Sequence, residues 1–118
     1  MQFLLLIYEA ESNRAARSPA AQKEIFEEYV RFTRDIVKSG HFRAGDPLQP
    51  VATAATVQKR DGKVVNTAGP FAETREQLGG YYLIDAQDMD EALAIAARIP
   101  VVSTGSVEVR PLMAMPKP

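Results

Sequence analysis

Side chains that could act together in acid–base chemistry are few in this chain of 118 residues. The single histidine, His41, follows a predicted helix whose C-terminal dipole favours a protonated ring, and Asp46 lies a few residues later. These two could form an acid–base pair, but a structural histidine at a helix end is the interpretation that we favour. Since cysteine is absent, disulfides, thiolate catalysis and zinc–thiolate sites are excluded, and one histidine excludes a multi-histidine metal site within one subunit. No cofactor is predicted.

A second group of charged side chains lies in residues 68–82, which read AGPFAETREQLGGYY. Glu73, Arg75 and Glu76 alternate in sign before a Gly-Gly pair, so this segment could orient a small ligand and close over a cleft. A salt-bridged loop that fixes a dimer is the alternative that we favour. The glycine spacing fits no phosphate-binding loop. The candidates for catalysis are therefore His41, Asp46 and Glu73.

Charged residues also alternate with valines near the end of the chain. If Val107 and Val109 pack under the helices, Glu108 and Arg110 point to the opposite face of the sheet. Buried charges need partners, and Arg75 and Glu73, of the same or a second subunit, are the ones predicted. Tyrosines on predicted strands could line a pocket, although core packing is the favoured alternative. The predicted ligand-binding set is Tyr8, Arg75, Tyr82, Glu108 and Arg110.

The elements that position these residues begin with an apolar run over residues 3–8, which is typical of a central strand covered on both faces. Residues 9–18 indicate a polar loop. Ser18 and Pro19 begin a helix that is expected to continue to about Lys38 and end at Gly40. Its apolar face is predicted to comprise Ile25, Phe26, Tyr29, Val30, Phe32, Thr33, Ile36 and Val37.

The second half of the chain starts with a predicted loop over residues 41–50. Two short strands, 52–59 and 63–67, are joined by a type I′ turn at Asp61–Gly62, and a further strand covers 80–86. A second helix begins at Asp88 with a capping box and ends at Pro100. Its buried face is predicted to comprise Met89, Ala92, Leu93, Ala96 and Ile99. The last strand is predicted over residues 107–113.

This order of elements predicts a single α+β domain, residues 1–118, with a ferredoxin-like split βαβ sandwich and an extra β-hairpin. Right-handed crossovers place both helices on one face of the sheet. The other face receives half of the apolar run 3–8 and has no helix to cover it. We therefore expect a homodimer whose sheets pack face to face as a dimeric α+β barrel. The alternative is that the loops 41–50 and 68–79 fold over this face.

Charge and hydropathy restrict the partners. The formal net charge is −1 and the basic residues are scattered, so direct nucleic-acid binding is not expected. The N-terminal apolar run is too short to span a membrane and has no basic region before it. The expectation is a cytoplasmic protein with no membrane partner.

Four segments of the chain resemble one protein family. Residues 69–82, 4–8 (LLLIY), 48–57 and 105–111 (GSVEVRP) are similar to the YCII-related superfamily, and specifically to its branch named for an Asp-Gly-Pro-Phe motif. The resemblance implies a dimeric ferredoxin-like fold and a poorly characterised function. It also implies a bacterial regulatory context, because members are often encoded beside extracytoplasmic-function sigma factors. A sigma factor is thus a candidate partner.

Two departures from the family pattern bear on activity. The leading Asp of the motif is Ala68 here, and the His and Asp that family enzymes carry on their two helices are absent, the second site reading Arg98-Ile99-Pro100-Val101. The family's catalysis is therefore not carried over. The first hypothesis is a small-molecule-binding or regulatory protein. The alternatives are an enzyme with acid–base chemistry in a cleft at the dimer interface, and a purely structural interaction module.

Overall fold

A computed structural model describes residues 1–116 as a mixed α+β fold with two open antiparallel sheets. The strands are β1 Gln2–Glu9, β2 Phe42–Pro47, β3 Ala55–Arg60, β4 Lys63–Ala68, β5 Gln77–Asp85 and β6 Ser106–Pro111. The helices are α1 Glu11–Ala16, α2 Pro19–Lys38 and α3 Met89–Ala96. The main sheet has the order β2-β5-β1-β6, and β3 and β4 form a separate hairpin.

Helix α2 has the predicted boundaries. The Ser18 hydroxyl accepts a hydrogen bond from the backbone N–H of Ala21 at 3.1 Å, and Pro19 occupies the first helical position. Beyond the helix, Gly40 has a φ of 85°, a conformation that glycine adopts at little cost. Local sequence signals are therefore enough to fix both ends of the longest element.

The hydrophobic core lies between one face of the main sheet and the helices α2 and α3. Successive residues of β1 alternate between buried and half-buried, with Phe3, Leu5 and Ile7 facing the helices. The other fully buried large side chains of the core are Ile36, Ile84, Ile99 and Val101. Within residues 1–116, only one face of β1 is covered, so the prediction that both faces are buried is met on one side.

Two segments that were predicted to be loops contain regular structure. Residues 9–18 include α1, which lacks apolar periodicity because none of its residues is buried. Residues 41–50 include the edge strand β2, despite Gly45 and Pro47. A side chain at position 45 would place its Cβ 2.6 Å from the ring of Tyr82, so glycine leaves room for that tyrosine rather than marking a turn.

Several element boundaries and faces differ from the prediction. The strand β5 begins at Gln77, three residues early, because a bulge accommodates Gly79 within it. A single turn of 3-10 helix at Val51–Thr53 delays the start of β3. The apolar face of α2 is narrower than predicted, since Phe26 is 67% exposed. The side chains of Val30, Val37, Met89 and Leu93 are also exposed, whereas Ile95 is buried.

The face of the sheet opposite the helices is uncovered within residues 1–116. It carries Leu4, Leu6 and Leu83, which are half-buried. Phe71 lies in the motif loop, residues 69–76, and is 85% exposed, so its ring does not cover this face.

The β3–β4 hairpin extends away from the main sheet. Its turn has the predicted type I′ signature, with positive φ values at Asp61 and Gly62. Val57 and Val64 are 67% and 66% exposed. The radius of gyration is 16.4 Å, whereas a compact chain of this length has about 13 Å. An isolated two-stranded hairpin is only marginally stable in water, so the hairpin needs a surface to pack on.

Neighbouring residues of α2 provide a direct test of the core. We expect Ile36→Ala to reduce the free energy of unfolding by about 3 kcal/mol, because Ile36 is fully buried and its truncation leaves a cavity. The matched control Val37→Ala, at a side chain that is 54% exposed, should change it by less than about 1 kcal/mol. Urea titrations of both variants measure the difference, and equal losses would contradict the assignment of the core face.

Candidate functional site

A cavity of about 450 Å³ lies between the first half of α2 and the helix-facing side of the sheet. This volume is in the range of small-molecule sites. Its walls are mainly apolar and include Ile7, Ile25, Phe26, Val30 and Val101. The principal polar groups around it are Glu9, Arg17, Tyr29, Thr33, Asp46 and Tyr82. The site thus combines an apolar lining with a few polar groups at one end.

The polar end of the cavity is built on Glu9, the last residue of β1. Its side chain is 9% exposed, and it accepts hydrogen bonds from both terminal nitrogens of Arg17, one of them at 3.0 Å. The Thr104 hydroxyl donates a further hydrogen bond at 2.6 Å. Burial raises the pKa of the Glu9 carboxyl, but these hydrogen bonds and the charges of Arg17 and Arg14 outweigh it and hold the pKa below its ordinary value. Glu9 is therefore ionised and paired near neutral pH.

The pair of Glu9 and Arg17 brackets the short helix α1 and connects β1 to the start of α2. The same connection is tied elsewhere by Glu11, whose backbone N–H donates to Gln77 Oε1 at 2.8 Å. The Glu11 carboxylate accepts from the backbone N–H of Val51 at 2.9 Å. Since α1 buries no apolar side chain, polar contacts hold this end of the cavity in place.

Two tyrosines line the interior of the cavity. The hydroxyls of Tyr82 and Thr33 are 2.6 Å apart, and the Tyr82 ring contacts Phe32 edge-on with a centroid separation of 5.2 Å. Burial, with Tyr82 and Glu9 nearby, raises the pKa of Tyr29 to about 12, although Arg17 and a backbone hydrogen bond from Val101 act in the opposite direction. Burial also raises the pKa of Tyr82. Both hydroxyls remain protonated at neutral pH.

The cavity includes two of the residues that the sequence predicts as site residues. Tyr82 lies on the helix-facing side of the sheet, and Asp46 also belongs to the lining. The Asp46 carboxylate accepts a hydrogen bond from the Tyr81 hydroxyl at 3.1 Å, and both residues are in register with Leu6 of the uncovered face. Tyr8 alternates with the core residues of β1 and lies on the opposite face of the sheet. Glu73 and Arg75 are exposed in the motif loop. The predicted set is therefore divided between different surfaces.

His41 has a different environment from Asp46. Its Nδ1 lies 2.6 Å from the Ser39 hydroxyl, and its Nε2 lies 3.2 Å from a carboxylate oxygen of Glu91. These contacts link the end of α2 to α3, away from the cavity lining. The geometry agrees with the structural interpretation of this histidine.

Glu108 and Arg110 lie on the uncovered face and pair with each other at 3.5 Å. Their side chains are 50% and 70% exposed, so within the chain they are not a buried charge pair. The proposed network with Glu73 and Arg75 of a second subunit stays a prediction.

Comparison with known proteins decides the family. A model of the YCII-related domain matches residues 1–116. The chain belongs to the YCII-related family. A protein of Rhizobium meliloti (strain 1021), named only as uncharacterized, is 39% identical over 114 residues, which are 95% of this chain and 92% of that protein. The resemblance found in the sequence is confirmed at the level of the family.

Two further features of this YCII-related chain concern metal ions and membranes. Within residues 1–116, no three or more His, Asp or Glu side chains cluster so that they could hold a metal ion. Over the same residues, none of the helices has the length and apolar character needed to cross a membrane.

Sequence reasoning missed five residues of the YCII-related site: Glu9, Arg17, Tyr29, Thr33 and Thr104. A signal for Glu9 was present, because the two-residue alternation of β1 places it on the same face as Phe3 and Leu5. A carboxylate on a buried face requires a partner, and Arg17 is the nearby candidate. Thr104 gave no signal, since it reaches Glu9 only through the tertiary fold.

The stability of the protein should depend on the charge of Glu9. We expect Glu9→Gln to reduce the free energy of unfolding at neutral pH by about 3 kcal/mol, because Arg17 is then largely buried without its counter-charge. The control is Asp35→Asn, which removes an exposed pair with Arg98 at 3.9 Å and should cost less than about 1 kcal/mol. Equal effects would contradict the role of the buried pair.

The stabilisation by Glu9 should also depend on pH, and the direction of its pKa shift sets the sign of that dependence. Because the pKa of Glu9 is lower in the folded than in the unfolded protein, its ionised form stabilises the fold above the unfolded value of about 4.3. The stability difference between wild type and Glu9→Gln should shrink as the pH falls below that value. Urea titrations at several pH values measure it, and a constant difference into the acid range would contradict the assignment.

Proposed function

We propose that this YCII-related protein binds a small molecule in the cavity between α2 and the sheet and acts as a regulatory homodimer. The observation that carries the binding proposal is the cavity itself, which is apolar along its walls and has hydroxyl groups converging at one end. Its formation from a single chain, with the pair of Glu9 and Arg17 in its lining, supports a largely preformed site.

Binding is favoured over catalysis by the state of the carboxylates. Glu9 is held by Arg17 and Thr104, and Asp46 is hydrogen bonded to Tyr81, so neither carboxylate is poised beside a partner base in the cavity. The alternative is an enzyme with acid–base chemistry in a cleft at the dimer interface. For that alternative the candidates remain His41, Asp46 and Glu73.

The proposed homodimer is supported by two uncovered surfaces. One is the sheet face with Leu4, Leu6 and Leu83, and the other is the hairpin with exposed Val57 and Val64. The order β2-β5-β1-β6 with helices after β1 and β5 supports a ferredoxin-like arrangement, in which two such sheets could pack as a dimeric α+β barrel.

The proposed regulatory role and the assignment to the Asp-Gly-Pro-Phe branch rest on the segments that resemble that branch, with Ala68 as a departure. We include an extracytoplasmic-function sigma factor as a proposed partner. Co-purification of such a factor with the protein supports this part of the proposal, and a failure to co-purify from a cell that contains it counts against it.

A thermal-shift screen of metabolites tests the binding function. We expect at least one compound to raise the melting temperature, since a ligand at a hundredfold its Kd stabilises the folded state by about 2.7 kcal/mol. Val30→Trp should abolish the shift by filling the cavity, whereas Val37→Trp, on the same helix but outside the lining, should retain it. A shift that survives Val30→Trp contradicts the site, and a screen without any shift contradicts the function.

Sedimentation tests the homodimer. Wild type should sediment as a dimer at micromolar concentration, and Leu6→Arg should produce a monomer by placing a charge on the uncovered sheet face. The control Leu93→Arg, on the exposed side of α3, should remain dimeric. A monomeric wild type, or a dimer that tolerates Leu6→Arg, would contradict this interface.

A further inference from the structure

The charges around the cavity are compensated within the chain. Glu9 is paired with Arg17, the Glu11 carboxylate binds a backbone N–H, and Asp46 accepts from Tyr81. Arg14, the remaining charged residue of the lining, is exposed to solvent. Within residues 1–116, no buried side-chain nitrogen or oxygen lacks a hydrogen-bond partner. A charged ligand would therefore lose its hydration without gaining a free counter-charge in the interior.

Aromatic rings form a large part of the lining. Phe26, Tyr29 and Tyr82 are among the aromatic residues of the lining, and Phe26 is 67% exposed. A flat apolar molecule in the cavity would cover this ring. Aromatic pairs in offset or edge-on contact contribute about 0.5–1.5 kcal/mol beyond the burial of area. The lining therefore favours an aromatic ligand over an aliphatic one of equal volume.

The hydroxyls of the lining can donate hydrogen bonds to a ligand. Thr33 and Tyr82 share one hydrogen bond, so one of their two O–H groups remains free to donate. The Tyr29 side chain also belongs to the lining, and because its pKa is raised its hydroxyl keeps the proton that it could donate. A ligand that meets both donors needs an acceptor, such as a carbonyl oxygen.

We propose that the cavity selects an uncharged, flat aromatic compound that carries a carbonyl-type hydrogen-bond acceptor. This inference rests on the proposed binding function and names the chemical class of its ligand. The compensated charges exclude ionic recognition in the interior, the rings set the shape of the ligand, and the free O–H groups set its orientation.

Three naphthalene derivatives of similar size test whether the intact wild-type protein prefers an uncharged ligand. They are the neutral acetylnaphthalene, the anion naphthoate and the cation naphthylmethylammonium. Equilibrium dialysis at neutral pH should give a Kd for acetylnaphthalene at least about tenfold lower than for either ion. Val30→Trp should abolish its binding. Tighter binding of either ion would overturn the inference about the ligand class. If that binding were also lost in Val30→Trp, the cavity would still be the binding site.

Paired tyrosine variants test the donor. Tyr29→Phe should raise the Kd of acetylnaphthalene by roughly two- to tenfold. It should leave the Kd of methylnaphthalene, which has no hydrogen-bond acceptor, unchanged. The control Tyr8→Phe, on the opposite face of the sheet, should change neither Kd. Equal weakening of both compounds would overturn the donor role.

The two proposals fail in different ways. If none of the naphthalene compounds binds while a metabolite gives a thermal shift that Val30→Trp removes, the ligand class is wrong and the binding function stands. If neither the naphthalenes nor any metabolite binds, both proposals are overturned.

Discussion

The ion pair between Glu9 and Arg17 is the interaction on which the site depends. Glu9 ends the central strand on its buried face, and Arg17 immediately precedes the cap of α2, so one charge pair sets the distance between sheet and helix. The Thr104 hydroxyl adds the segment before β6 to the same carboxylate. Because α1 contributes no buried side chain, this end of the cavity is held by the pair together with the hydrogen bonds of Glu11 to Gln77 and Val51. The pair also neutralises the charges that would otherwise face the ligand.

The two faces of the sheet have separate roles in this account. The helix-facing side contains the core and, beside the first half of α2, the cavity with Tyr29 and Tyr82. The uncovered side carries leucines together with Glu108 and Arg110 and has the character of an assembly surface. The single-residue alternation along β1 and β5 thus separates the proposed binding site from the proposed assembly surface within the same strands.

The fold was predictable where local signals act. Ser18, Pro19 and Gly40 fixed α2, Asp61–Gly62 fixed the hairpin, and the alternation of Val107 and Val109 gave the correct face of β6. The prediction was wrong where tertiary context decides. Gly45 suggested a loop, but it lies in a strand beside a tyrosine ring, and α1 has no periodicity to detect.

The site was less predictable than the fold because its residues come from separate parts of the chain. The sequence predicts charged and histidine side chains as site residues, yet His41 links two helices and Glu73 is exposed. The lining of the cavity instead includes Tyr29 and Thr33, whose residue types are common in ordinary helices. Nuclear magnetic resonance of the amide-labelled wild type with acetylnaphthalene is the most direct test of ligand binding in the cavity. We expect the perturbed amides to lie around the cavity, at Tyr29, Thr33 and Gly45. Perturbations confined to Leu4, Leu6 and Leu83 of the uncovered face would contradict binding in the cavity.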